Sequence, residues 1–223
     1  MVSTGLVMDG RVTQLLEFAD VLFWDFDGVI KESVEVKTNA FVKLFHKFGR
    51  EIADRVREHH EANGGMSRFD KLPLYLEWAG ECCSQSSVNQ LCDQFACLVL
   101  DEVVRSPWVP GVELYLRSNP YGQTFFLVSA TPQNELEHII QKLNLTDCFS
   151  RIIGAPTSKI DALGMTLEER NINSKDCIMI GDAQEDYLAA QANHVPFLLR
   201  LHATNAKLFI NYSGSSVNDF TEL

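Results

Sequence analysis

The chain has 223 residues, 46% hydrophobic and 22% charged, which is typical of a globular protein with one full core and a smaller insertion. Its 19 basic and 30 acidic residues give a net charge of −11 at pH 7, and an acidic surface repels phosphate backbones, so we expect no nucleic-acid partner. Residues 1–10 lack the features of a signal peptide and no apolar run could span a bilayer, so we expect a cytoplasmic protein with no membrane partner.

The cysteines favour free thiols over a disulfide framework or a zinc site. Cys82 and Cys83 are adjacent rather than spaced as in a zinc knuckle, and Cys92 and Cys97 follow in sequence of helical pattern. We therefore expect buried free thiols in a reducing compartment.

A short leading helix is predicted at 11–19, and the apolar run at 21–26 then predicts a strand buried on both faces of a parallel sheet. Asp25 and Asp27 lie at the carboxyl end of this strand, and Gly28 allows a sharp turn after them. Ligands of open α/β sheets bind at this edge. The two carboxylates are therefore candidate functional residues, although the same residue types are common in ordinary turns.

Residues 33–106 differ in pattern from the sequence on either side. Apolar residues recur there at helical intervals without a strand pattern, which predicts four helices, at 33–48, 51–62, 67–78 and 84–104. Prolines and a glycine at 106–111 predict a hinge, with 31–33 as its partner. We therefore expect a helical cap at 33–106, inserted into a core formed by residues 1–32 and 107–223.

The rest of the chain alternates between strand and helix patterns. Predicted strands lie at 124–128, 149–153, 177–180 and 195–201, and predicted helices at 112–117, 131–143, 158–169 and 187–192. Pro132 is expected at the first helical position of the helix at 131–143. Repeated β-then-α units predict an α/β fold with a parallel sheet and right-handed crossovers. The residues after Thr204 carry no clear pattern.

Polar side chains follow each of these strands, and strand ends in such a sheet converge on one edge. The residues concerned are Asp25, Asp27, Ser129, Lys159, Asp182 and Asp186. At about 4 Å and an effective dielectric of about 20, each pair of like charges costs roughly 4 kcal/mol. One lysine cannot offset several such pairs, so we expect a divalent cation, and oxygen ligands favour Mg²⁺ over Zn²⁺.

Ser129 and the amides of Ala130 and Thr131 are expected at the start of a helix, which is a ready anion site. A carboxylate nucleophile, a hard metal ion, a lysine and a group of amides together describe phosphoryl transfer through an aspartyl-phosphate.

At this point the chain resembles the haloacid dehalogenase superfamily. The resemblance rests on four motifs in order: Asp25-Phe26-Asp27-Gly28-Val29, Val128-Ser129-Ala130-Thr131, Lys159, and Gly181-Asp182-Ala183-Gln184-Glu185-Asp186. The inserted helices resemble the type-1 cap of the phosphoglycolate phosphatase and β-phosphoglucomutase branch. The resemblance implies a Rossmann-like, doubly wound parallel sheet as the core.

The resemblance also implies residue roles. Asp25 would be the nucleophile and a metal ligand, and Asp27 the general acid and base, lending its backbone carbonyl to Mg²⁺. Asp182 would bind the metal, with Asp186 as a ligand or a support. Ser129, with Ala130, and Lys159 would hold the phosphoryl group.

Three positions refine the expected reaction. A carboxylate at Asp27 favours phosphate esters, because dehalogenase and phosphonatase relatives lack it. Lys37 stands where the mutase branch typically has His, which argues against mutase activity. Ala183 stands where many relatives carry Ser, and we expect this difference to affect the site only indirectly.

The cap offers candidates for substrate recognition around the loop at 63–66. Arg68 is the first candidate, as a clamp on the non-reacting end of an anionic substrate, and Lys71 is the second, ahead of His59 and His60. A solvated loop with ordinary surface charge is the alternative.

The sequence thus predicts a Mg²⁺-dependent phosphatase acting on a small phosphorylated metabolite of the sugar phosphate or phosphoglycolate type. Two alternatives stay open: a phosphomutase of β-phosphoglucomutase type, and a catalytically silent binding or regulatory module. The intact Asp25, Asp27, Lys159 and Asp182 argue against the second. The sequence names neither the substrate nor the oligomeric state.

Overall fold

The computed structural model describes residues 10–221, so the expectation about a signal peptide concerns residues that lie almost wholly outside the described part. Its strands are β1 (Val21–Trp24), β2 (Thr124–Pro132), β3 (Arg151–Ala155), β4 (Cys177–Gly181), β5 (Phe197–Arg200) and β6 (Ser216–Val217). They form one parallel sheet in the order β3-β2-β1-β4-β5-β6. The predicted α/β class and parallel sheet are therefore confirmed.

The helices of the described residues are α1 (Gly10–Phe18), α2 (Val34–Phe45), α3 (Arg50–Ala62), α4 (Arg68–Trp78), α5 (Gln85–Arg105), α6 (Val112–Ser118), α7 (Gln133–Lys142), α8 (Lys159–Arg170) and α9 (Gln184–Ala192). Helices α2–α5 follow one another without a strand between them, as the apolar spacing predicts. Serine caps begin two of them, since Ser67 Oγ accepts from the Phe69 amide at 3.2 Å and Ser84 Oγ from the Ser87 amide at 3.1 Å.

The chain leaves and re-enters the sheet region at two paired segments. The Glu32 amide donates to the Pro107 carbonyl at 2.9 Å, and Lys31 forms an antiparallel bridge with Trp108. The ammonium of Lys31 lies 4.3 Å from the centre of the Trp108 ring. These are the two stretches in which the sequence predicts hinges.

β1 lies at the centre of the sheet, between β2 and β4, and all four of its side chains are buried. The connections run towards β3 on one side of β1 and towards β6 on the other. This reversal places a topological switch point beside β1, where open α/β sheets bind their ligands.

Several expectations about local structure are wrong. β2 continues to Pro132 and α7 begins only at Gln133, because the register between β2 and β3 shifts between Val128 and Pro132 and keeps the chain extended. Pro132 has a ψ of 140° and precedes the helix rather than lying in its first turn.

The C-terminal part after Thr204 is also more ordered than its sequence indicates. It adds β6 to the edge of the sheet, and Leu201 donates to the Val217 carbonyl at 2.7 Å. Phe220 is buried and its ring centre lies 5.3 Å from that of Trp24.

The cap cysteines are free, but they are not buried as expected. Cys82, Cys83 and Cys97 are exposed and Cys92 is half-buried. They occupy helix surfaces and a loop rather than the apolar faces of α4 and α5, which hold residues such as Leu72 and Phe95. No helix of the described residues is long and apolar enough to cross a membrane.

Candidate active site

The turn after β1 lies close to the end of β4, and an aspartate follows each of these two strands. Asp25 follows the last residue of β1, and Gly28 turns the chain with a φ of +77°. A Cβ atom on Gly28 would lie 2.1 Å from Oδ2 of Asp182, which follows β4. Glycine is therefore required here both by the backbone angle and by the close approach of Asp182.

Three buried carboxylates form an acidic cluster at this edge, namely Asp25, Asp182 and Asp186. Each offers an oxygen within 4.8 Å of the others. Lys159 Nζ lies 2.8 Å from Oδ1 of Asp25 and 2.5 Å from Oδ1 of Asp186, so one ammonium serves two of the three. Such a set of hard oxygen donors with an excess of negative charge fits a divalent cation of the Mg²⁺ class.

The pKa values of these groups reflect this excess of negative charge. Burial raises the pKa of Asp25, and the neighbouring Asp186 raises it further against the opposing effect of Lys159. Burial likewise raises the pKa values of Asp182 and Asp186. Burial lowers the pKa of Lys159, but the two carboxylates outweigh it and the net pKa is raised. A bound cation would stabilise the carboxylates in their charged form.

The side chain of Asp27 points away from the acidic cluster towards α2 and β2. Its carboxylate accepts hydrogen bonds from Ser33 Oγ at 2.6 Å, from Thr131 Oγ1 at 3.3 Å and from Lys37 Nζ. Burial alone would raise the pKa of Asp27, but Lys37 and the hydrogen bond from Ser33 lower it overall. The side chain of Asp27 therefore faces proton-donating groups rather than the acidic cluster.

Ser129 and Ala130 line the same cavity as Asp25, but their backbone differs from the expectation. They belong to the irregular end of β2 rather than to a helix start, which lies at Gln133. Ser129 is buried and its Oγ accepts from the Thr131 amide at 3.1 Å. The expected anion site at a helix N-terminus is thus replaced by an extended segment with a hydroxyl group.

Sequence reasoning missed the group that holds Asp182. His202 Nε2 lies 2.8 Å from Asp182 Oδ2, and its Nδ1 lies 2.6 Å from Thr204 Oγ1. Asn205 also donates to the Asp182 carbonyl at 2.8 Å. These residues follow β5 in a segment with no recognisable pattern, so position after a parallel strand was the one signal that could have found them.

A cavity of about 220 Å³ lies between the sheet edge and helices α2–α4. The wall at the sheet edge, here called the core wall, is lined by Asp25, Asp27, Ser129, Lys159 and Asp182. The opposite wall, here called the cap wall, includes the expected candidates Arg68 and Lys71, together with His60. His59 is not among the lining residues; its Nδ1 lies 3.0 Å from the Tyr75 hydroxyl.

Arg68 is committed to a partner on α7. Its two terminal nitrogens donate to the two carboxylate oxygens of Glu135 at 2.9 and 2.8 Å, and its guanidinium lies 4.4 Å from the centre of the Phe95 ring. Glu135 follows the second motif, so this pair, with Arg68 buried and Glu135 half-buried, joins α4 to α7. The guanidinium is therefore not a free clamp in this state.

The loop at 63–66 closes on the fourth motif. A Cβ atom on Gly65 would lie 2.8 Å from Glu185 Cβ and 3.1 Å from Ala183 Cβ, whereas on Gly64 the nearest atom would be at 4.0 Å. Glu185 Oε2 is buried there without a hydrogen-bond partner among the described residues. Ala183, where a larger residue is common in the motif, thus faces the cap loop.

The comparisons with known proteins agree with this geometry. The family model for haloacid dehalogenase-like hydrolases matches residues 21–199. A phosphoglycolate phosphatase from Colwellia psychrerythraea is 20% identical over 195 residues, which cover 81% of this chain and 83% of that protein.

Solved structures show the same fold. CbbY from Rhodobacter sphaeroides, in complex with xylulose-(1,5)bisphosphate, has a TM-score of 0.74 at 13% identity, covering 92% of this chain and 96% of that one. A β-phosphoglucomutase from Clostridium difficile has a TM-score of 0.72 at 21% identity, covering 92% and 93%. At these identities the likeness concerns the fold.

Proposed function

The chain belongs to the haloacid dehalogenase-like hydrolase family, and we propose that it is a Mg²⁺-dependent phosphatase that hydrolyses a small phosphorylated metabolite. The observation that carries the proposal is the buried Asp25 beside Lys159 in a cluster with two further carboxylates. A cavity of about 220 Å³ suits a small ester, of the sugar phosphate or phosphoglycolate type, rather than a polymer.

In this proposal residues 33–106 form the cap, and residues 1–32 and 107–223 form the core that carries the chemistry. Asp25, Asp182 and Asp186 would hold Mg²⁺ together with the backbone carbonyl of Asp27. When bound, the ion would neutralise charge on the phosphoryl oxygens and on the carboxylates.

The first half-reaction forms a bond between an Asp25 carboxylate oxygen and phosphorus and breaks the phosphorus–oxygen bond of the ester. Lys159 and Ser129 orient the phosphoryl oxygens, with the Ala130 backbone beside them. Asp27 gives its proton to the leaving oxygen. A dianionic phosphoryl group beside Asp27 raises the proton affinity of that carboxyl, which otherwise stays charged against Lys37.

In the second half-reaction Asp27 is again a carboxylate and accepts a proton from water. The water oxygen attacks phosphorus, the bond to Asp25 breaks, and inorganic phosphate leaves. The hydrogen bonds from Ser33 and Thr131 hold Asp27 in place for both transfers. Arg68 lies in the cavity wall, and we place it against the organic part of the substrate with its charge balanced by Glu135.

A phosphomutase is the second candidate, because the cap loop packs against the fourth motif at Gly65 and would help to exclude water. The contact of Lys37 with Asp27 gives this site a different partner for the acid–base group from the His typical of mutases. Incubation of a sugar 1-phosphate with a trace of sugar bisphosphate separates the two, since a mutase forms the 6-phosphate and a phosphatase releases phosphate.

The proposal is tested by phosphate release from a panel of small phosphomonoesters, in Mg²⁺ and in EDTA, with wild type and Asp25→Asn. We expect release that needs Mg²⁺ and is lost in the variant. Full turnover by Asp25→Asn would contradict the mechanism. Metal binding without turnover of any ester would favour the silent module.

A further inference from the structure

Five lysine and arginine side chains line the cavity, and they differ in whether a carboxylate neutralises them. Lys37 pairs with Asp27, Arg57 with Glu61, Arg68 with Glu135, and Lys159 with Asp25 and Asp186; the fifth is Lys71. Within the described residues no carboxylate oxygen lies within 4.0 Å of the Lys71 ammonium.

Glu185 and Asp27 favour the charge of Lys71, but their carboxylates lie beyond 4.0 Å from its ammonium and do not outweigh its burial. Its side chain is 1% exposed and Nζ donates to His60 Nδ1 at 2.8 Å. Burial lowers the pKa of His60 well below its usual value, so this partner is a neutral imidazole. The centre of the Phe41 ring lies 5.8 Å from Nζ. Burial of a cation without an anionic partner is costly.

The position of Lys71 in the cavity indicates which group could compensate its charge. It belongs to the cap wall of the cavity, whereas Asp25, Lys159 and Ser129 belong to the core wall. A phosphate ester bound with its phosphoryl group at Asp25 would extend its organic part towards the cap wall. Arg68, on the same helix, has both terminal nitrogens engaged by Glu135 and offers no uncompensated charge there.

We propose that Lys71 is a specificity-determining residue that binds a second anionic group, at the end of the substrate away from the transferring phosphoryl group. The inference rests on the proposed function and narrows its substrate class to phosphate esters that carry a further carboxylate or comparable anion. A neutral alcohol ester would leave the ammonium of Lys71 buried and unpaired, and is discriminated against for that reason.

The test compares two esters of similar size, 2-phosphoglycolate and ethyl phosphate, which differ in the distal carboxylate. In the wild type we expect kcat/KM to favour 2-phosphoglycolate. In Lys71→Met that preference should fall about 30-fold, mainly through a higher KM for 2-phosphoglycolate. A loss of this size corresponds to the free energy of a hydrogen bond to a charged group. Arg68→Met serves as the matched variant on the same helix, and should lower kcat/KM for both esters alike.

Thermal unfolding supplies a second measurement that does not depend on turnover. With Mg²⁺ present, 2-phosphoglycolate should raise the unfolding midpoint of the wild type more than ethyl phosphate does, and Lys71→Met should abolish this difference. If no ester is turned over, this arm still decides the role of Lys71 while the proposed function fails. Lys71→Gln repeats the comparison if the Met variant does not fold.

Three results would overturn the inference. One is an unchanged preference in Lys71→Met. Another is loss of the preference in Arg68→Met instead. The third is an equal loss for both esters in Lys71→Met together with a lower unfolding midpoint, which is what a structural lysine would give.

Discussion

The two walls of the cavity have opposite charge imbalances. At the core wall, the acidic cluster of Asp25, Asp182 and Asp186 is served by the ammonium of Lys159, which contacts Asp25 and Asp186 but not Asp182. On the cap wall, the hydrogen-bond partner of the buried Lys71 ammonium among the described residues is the neutral imidazole of His60. The core wall therefore has an excess of negative charge at the acidic cluster, and the cap wall has a buried positive charge at Lys71 that no carboxylate contacts in the part of the chain that the structure describes.

This difference indicates what the cavity is built to receive. A cation at the acidic cluster and a second anion at Lys71 would correct both imbalances, and a phosphate ester bound between them would contact both. In the absence of ligands, the acidic cluster and the buried Lys71 do not stabilise the protein, because uncompensated buried charges destabilise the folded state. The predictions below change one wall at a time.

The largest expected effect comes from removing the metal from the core wall. EDTA should lower phosphate release more than about 10³-fold, since no side chain can replace the charge of the ion at the phosphoryl group. Mg²⁺ should restore activity, and it should also raise the unfolding midpoint of the wild type but not of Asp182→Asn. Full turnover in EDTA, measured as phosphate released, would contradict the account of the acidic cluster.

The acid–base role of Asp27 predicts a dependence on the leaving group. Asp27→Asn should lower kcat about 10²- to 10³-fold for ethyl phosphate, whose leaving oxygen needs a proton. The loss should be smaller for p-nitrophenyl phosphate, whose leaving group does not. Asp54→Asn, an exposed change on α3, is the control. Equal losses for both esters would argue against proton donation by Asp27.

The contact between the two walls can be disturbed at Gly65. Because an added Cβ would lie 2.8 Å from Glu185 Cβ, Gly65→Ala should hold the cap loop away from the fourth motif and lower kcat/KM about 10-fold. Gly64→Ala is the matched control, since its Cβ would meet no atom closer than 4.0 Å. Steady-state kinetics of both variants measure the change in kcat/KM, and their unfolding midpoints show whether each variant is folded. Identical effects would show that the close approach at Gly65 is unimportant.

The last expected effect is on stability rather than on activity, at Lys71. Burial lowers the pKa of Lys71 from 10.5 to about 7, with Glu185 and Asp27 favouring its charge and Lys37 and Lys159 opposing it. Between these values the unfolded chain binds more protons than the folded one, so this residue makes the wild type more stable as the pH rises.

Lys71→Met lacks this dependence, so it should exceed the wild type in stability at pH 7 by about 4 kcal/mol and lose most of that advantage at pH 10. Urea unfolding at both pH values, without substrate, measures the difference. Lys43→Met, an exposed change on α2, is the control. A less stable Lys71→Met protein at pH 7 would mean that the lysine is already compensated.

The core wall could be predicted from the sequence to a large extent. Asp25, Lys159, Asp182 and Asp186 each follow a strand pattern, and parallel strands bring their carboxyl ends to one edge whatever the loop lengths. The fold followed from the same alternation of strands and helices. The end of β2 was less predictable, because the register shift before Pro132 depends on pairing with β3 rather than on local preference.

The cap wall could not be predicted in the same way. The pairing of Arg68 with Glu135 joins residues 67 positions apart, and the burial of Lys71 depends on how α4 packs against α2 and α3. Helical spacing gives the face of a helix but not the partner of each charge. His202 was missed for a similar reason, since it reaches Asp182 from an irregular segment with no pattern of its own.

The most direct measurement is phosphate release from 2-phosphoglycolate and from ethyl phosphate, by wild type and Asp25→Asn, in the presence of Mg²⁺. The account predicts that the wild type hydrolyses both, with kcat/KM at least about 30-fold higher for the diacid, and that Asp25→Asn hydrolyses neither. Equal kcat/KM values for the two esters, or turnover by Asp25→Asn, would contradict it.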